Sequence, residues 1–177
     1  MAVNKITIGL AAIELGAIAV DGGMGTTLTP WGYTEQDSCT ITISEPELTE
    51  FIPEEIDDAI YIASKDGEKT IAFTIMDAGT DTLVNLFGGT VTTTGTAPNE
   101  VKTFSFPSSN ANVEKSVRII PKEGLITEIT RAKVTASMDS TYSKNGLFTV
   151  KVSLKVLKPK KVGESSLRVI DDPTAFA

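Results

Sequence analysis

Phe148-Thr149-Val150-Lys151-Val152-Ser153-Leu154-Lys155-Val156 is the stretch whose reading decides the fold. Apolar side chains occupy every second position, and Thr, Lys and Ser fill the gaps. A period of two belongs to a β-strand with one face on a core and the other turned outward. The stretch therefore predicts a strand that carries Lys151 and Lys155 on its outer face. Ile71, Phe73 and Ile75 repeat the pattern around Ala72 and Thr74. Weaker alternation predicts further strands over 61–64, 101–106, 114–120 and 127–138. Asn145-Gly146 suits a type I′ turn, whose two central residues need positive φ, and predicts a hairpin leading into the 148–156 strand. Asp66-Gly67 predicts a second hairpin that joins 60–64 to 69–77.

One helix is expected. Thr80 is a candidate cap, Asp81 suits the first turn, and Leu83, Val84, Leu86 and Phe87 give an apolar face. Gly88-Gly89 then ends it, since glycine enters the left-handed region freely. A weaker helical signal covers 53–59. Three regions give no clear period. The glycine-rich stretch 9–37 reads as a long loop, ordered only on assembly. The Thr-rich stretch 90–99 reads as strand or loop, and 164–177 as a C-terminal arm. The fold class is thus mainly β: an antiparallel β-sandwich or barrel with one short flanking α-helix, a single domain over 1–163.

Composition narrows the function. The chain of 177 residues has no histidine, which removes the commonest general base and metal ligand. Cys39, the only cysteine, sits in an apolar alternation and reads as a structural thiol. Gly22-Gly23-Met24-Gly25 lacks the Lys-Ser/Thr ending of a P-loop. The acidic run from Glu45 to Asp58 has no central glycine at the spacing that a calcium loop needs. No catalytic, cofactor-binding or metal residue is assigned, and no enzyme activity is expected. No apolar span reaches the roughly 18 residues of a membrane helix. Glu14 interrupts the apolar run 6–20, and Lys5 alone precedes it, so no cleaved leader is expected.

Charge is divided unevenly along the chain. Residues 1–100 hold three basic and sixteen acidic side chains, a net of −13, and residues 101–177 hold thirteen and seven, a net of +6. If the two halves take different faces, copies attract head to tail, and heterologous contacts of that kind build rings or filaments. If the halves interleave in one sheet, the charges mix. Candidate interface residues are the acidic Glu54, Glu55, Asp57 and Asp58, the outward Lys151 and Lys155, and the loop aromatics Trp31 and Tyr33. Trp31 reads equally as a contact anchor or as a plug at the core edge.

The order of features carries a resemblance. A strand pair ends in Ile71-Ala72-Phe73-Thr74-Ile75-Met76-Asp77. The helix Asp81-Thr82-Leu83-Val84-Asn85-Leu86-Phe87-Gly88-Gly89 and late long strands follow. This resembles the major tail tube proteins of tailed bacteriophages and, more distantly, the tube proteins of contractile injection and type VI secretion systems. The resemblance implies a β-sandwich with a flanking helix that assembles as hexameric rings. The rings stack into a hollow tube, with other tail proteins as neighbours and DNA passing through the lumen without specific binding. It implies a location in the virion tail after synthesis in the host cytoplasm, with no cofactor and no membrane partner. Two other readings stay open: a monomeric β-sandwich binding module, and another virion or fimbrial structural subunit.

Overall fold

The computed structural model describes residues 5–109, 111–138 and 146–172. The chain is mainly β, with antiparallel sheets and, among the described residues, one helix. Its strands are β1 (Ala12–Gly16), β2 (Leu28–Pro30), β3 (Thr40–Ile43), β4 (Glu47–Phe51), β5 (Tyr61–Lys65), β6 (Lys69–Ile75), β7 (Thr90–Thr94), β8 (Val101–Ser105), β9 (Val113–Ile120), β10 (Ile126–Met138), β11 (Val150–Val156) and β12 (Leu167–Ile170). The helix, α1, spans Thr80–Phe87. The main sheet runs β2-β1-β9-β10-β11-β6-β3, and β12 pairs with the first part of β10. The segment after β2 bridges to β6 at the far side, where the Met76 amide donates to the Tyr33 carbonyl. Among the described residues the strand ladder does not close into a barrel.

The two-residue period builds the core. Val150, Val152 and Leu154 of β11, Ile71, Phe73 and Ile75 of β6, and Ile129, Ala132 and Val134 of β10 all bury on one face. Val117 and Ile119 of β9 and Ile13 and Leu15 of β1 complete it, with Leu86 of α1 set against them. β10 and β11 pair antiparallel from Ala132↔Val156 to Met138↔Val150. That is the pairing expected around Asn145-Gly146, although Asn145 lies outside the described residues.

The helix end behaves as its glycines require. Gly88 takes φ 78°, and its amide donates to the Val84 carbonyl at 2.8 Å. A Cβ there would come within 2.3 Å of Ala111. The start differs from the expectation: Gly79 is the cap residue and makes no side-chain cap bond, while Thr80 is already helical.

The stretch 9–37 is no continuous loop. It contains β1 and β2, because Ile13 and Leu15 alternate into the core within a short run that glycines obscure. A relay pins what remains. The Gly25 amide donates to Ser116 Oγ at 2.9 Å, and the Ser116 hydroxyl donates to the Thr130 carbonyl at 2.7 Å. The Thr130 hydroxyl donates to the Ser165 carbonyl at 2.7 Å. The C-terminal arm likewise contributes to the sheet: Leu167–Ile170 pairs with β10 as β12, and 173–177 lie outside the described residues. There Glu128, only 2% exposed, accepts from Arg118 and Arg168 at 2.7 Å each.

Asp66-Gly67 makes no hairpin turn. β5 pairs with β4 and β6 pairs with β3, so the chain passes straight through that dipeptide. The register is unbroken. Ile43 faces Lys69 and, four residues on along each strand, Glu47 faces Lys65. Residues 40–51 and 61–72 thus form one long antiparallel ribbon with a joint at Glu45-Pro46 and Asp66-Gly67. Pro46 has no N–H to give to a ladder. At Gly67 a Cβ would lie 1.8 Å from the Ser44 carbonyl oxygen, so only glycine permits that approach. Residues 53–59, weakly helical by pattern, form the turns at the ribbon tip.

Candidate functional site

The outer half of the ribbon is almost wholly exposed. Every residue of β4 is exposed, and β4 and β5 pack on each other without substantial contact with any other named strand or helix. From Ser44 to Ile52 the arm reaches about 26 Å at roughly 3.3 Å per residue. Two properties mark it. The first is apolar exposure: Leu48 and Ile62 share one face, and Phe51 and Tyr61 share the other with ring centroids 5.9 Å apart. Ile52, Ile56 and Ile60 are exposed around the tip, Ile60 at 70%. Contiguous apolar surface rimmed by charge marks an interaction site.

The second property is charge. Residues 44–68 hold nine carboxylates against Lys65 alone, a net of −8. Since the whole chain is −7, everything outside the arm sums to +1. The separation is therefore arm against body, not first half against second. Within the body the halves interleave. Glu14 lies 3.8 Å from Arg118 and Asp21 is 2.8 Å from Lys161, while Glu68, the last residue of the arm, is 2.7 Å from Lys155 of the body. Glu54, Glu55, Asp57 and Asp58 all sit exposed at the tip.

The body offers a basic counterpart on the outer face of β10 and β11. Lys151 and Lys155 project outward, as their alternation requires. Lys133 of β10 stands directly across from Lys155, and all three lysines are exposed. Thr135, Ser153 and Ala72 lie side by side in the next row and are exposed as well. The face is a flat floor of small side chains with lysines standing on it. A groove of about 860 Å³ lies between the base of the arm and the end of β11, lined by Glu45, Gly67 and Lys155 among others.

The two loop aromatics separate. Tyr33 is 78% exposed, and its amide donates to Asp77 Oδ1 at 2.6 Å. Trp31 is 7% exposed and belongs to the core, with Lys115 Nζ 5.8 Å from its ring centroid. Of its two readings, the structure takes the core plug: Trp31 is not a surface anchor of the subunit. Burial pulls Lys115 below its usual value, and burial pushes the half-buried Cys39 thiol up. Among the described residues no three carboxylate or thiol side chains gather as a metal site, and no helix is long and apolar enough to cross a membrane.

One ion pair gives the fold a pH dependence. Arg131 donates two hydrogen bonds to Glu114, at 2.7 and 2.8 Å, and these hold the carboxyl below its usual 4.5. A carboxylate whose folded value is depressed adds stability above its unfolded value and loses it as pH falls through the folded one. Glu114→Gln should therefore melt below the parent at pH 7, with the gap closing as pH drops below about 4. A gap that stays constant from pH 7 to pH 3 in thermal melts contradicts this.

Sequence reasoning found the acids and the lysines but missed the arm. The exposed Leu48, Phe51, Tyr61 and Ile62 were its signal: apolar residues in strands with no alternation against a core. No protein-family model matches the chain, and no curated protein is significantly similar to it.

Proposed function

We propose that this chain is a structural subunit that assembles with copies of itself into stacked rings, forming the tail tube of a tailed bacteriophage through which DNA passes. The arm carries this reading: a projecting ribbon that exposes large apolar side chains on both faces while adding nothing to its own core. Fully burying such a side chain is worth about 1.5–3 kcal/mol, so a half-exposed one gains about 1 kcal/mol in a contact. Leu48, Phe51, Ile52, Ile60, Tyr61 and Ile62 together supply enough to offset part of the cost of association. Exposed ion pairs add only about 0–1 kcal/mol each and set register and rate. The resemblance in the strand–helix–Gly-Gly segment supplies the tube, and the net negative charge suits a channel from which DNA must slide free.

Sedimentation and negative-stain imaging of the purified full chain at rising concentration test the reading. Rings and then tubes are expected. Added sodium chloride should slow their growth, because the Debye length shrinks from about 10 Å at 0.1 M to about 3 Å at 1 M. A chain that stays monomeric at every concentration is a binding module whose arm takes another partner, and the proposal fails.

A further inference from the structure

The arm has a net charge of −8 and no counterpart on itself except Lys65, which pairs with Glu47 at 3.1 Å. Charge of that density at the end of a projecting ribbon calls for a basic surface of matching shape. The outer face of β10 and β11 is such a surface. Lys133 and Lys155 occupy directly opposed positions on neighbouring strands. Like charges so placed repel, although Glu114 of β9 stands directly across from Lys133 on its other side. Glu68, at the root of the arm, already sits 2.7 Å from Lys155, yet the Lys155 side chain remains 57% exposed. Lys133 makes no ion pair among the described residues. The neighbouring row of Thr135, Ser153 and Ala72 presents no bulky side chain, so a ribbon can lie flat across it.

We propose that the arm of one copy docks on the lysine face, Lys133, Lys151 and Lys155, of a second copy. This rests on the reading of the chain as a self-assembling subunit and names the surface that receives the arm. The occupant is fixed by charge complementarity: the acids at the tip, Glu54, Glu55, Asp57 and Asp58, meet the three lysines, and Ile56 between them, with Ile52 and Ile60 to either side, covers the small-residue floor. The contact is head to tail, because arm and face are different surfaces of one chain.

Charge exchange tests it. One variant carries Glu54→Lys, Glu55→Lys, Asp57→Lys and Asp58→Lys, which brings the arm to neutral overall and makes both its tip and the receiving face basic. The other carries Lys133→Glu, Lys151→Glu and Lys155→Glu, so both are acidic. All seven sites are exposed, and melts of each variant should match the parent within a few degrees. Each variant alone should need at least about tenfold higher concentration than the parent to assemble, one decade per 1.4 kcal/mol. Mixed one to one, they should co-assemble, since each arm then finds an opposite face. The inference falls if the face variant assembles like the parent, or if the mixture does no better than either variant. A parent that never assembles removes the self-assembly reading itself, and this inference with it.

Discussion

Removing residues 45–67 and joining Ser44 to Glu68 through Asn-Gly should abolish assembly and leave a folded monomer. The Ser44 amide already donates to the Glu68 carbonyl at 2.9 Å, and a two-residue type I′ turn closes such a pair. No core residue lies between positions 44 and 68. The excision therefore removes the exposed apolar surface and most of the acidic charge without opening a cavity. Thermal melting should stay within a few degrees of the parent, while sedimentation should show a single small species at concentrations where the parent forms polymers. If the shortened chain still polymerises, the arm is not the assembly element. If it unfolds, the arm supports the subunit in a way that the core does not reveal.

The opposite partition is expected at Trp31. Its ring fills the core where the chain leaves the β2 edge and reaches across to β6. Truncating a buried Trp to Ala costs about 3–5 kcal/mol through lost transfer energy and the cavity left behind. Total stabilities are only about 5–15 kcal/mol, so Trp31→Ala should be among the most damaging single changes available. Urea unfolding of Trp31→Ala beside Tyr33→Ala measures this. The exposed Tyr33 should cost less than about 0.5 kcal/mol in folding. A loss below about 1 kcal/mol at Trp31 would contradict its role in the core.

What the sequence made legible follows from how local each cause is. The alternation of β11 and β6 and the Gly88 helix stop are settled within a few residues by backbone geometry and burial, and both appear as expected. Asp66-Gly67 misled because a turn-forming dipeptide is only a permission. The strand before it is matched by β4, which lies earlier in the chain, and the true reversal is the apolar and acidic tip at 52–60 that resembles a helix by composition. Trp31 stayed ambiguous because exposure depends on the closing of β2 toward β6, a contact between distant segments. The charge imbalance was plain, but its boundary was drawn at the middle of the chain. The arm that concentrates it is defined by pairing across the ribbon, which composition does not record.

The outer half of the ribbon, β4 with β5, pairs with no other strand among the described residues and so leaves backbone amides and carbonyls unpaired along both of its edges. Edges of this kind template pairing with other strands, and two exposed apolar ribbons meeting side by side are a route to aggregation. Here every arm carries the same charge of −8. Ribbon therefore repels ribbon, edge to edge and face to face, while the body at +1 does not. In the proposed assembly the acids act as a guard: they keep the apolar ribbons of free subunits apart until each reaches a surface of the opposite sign.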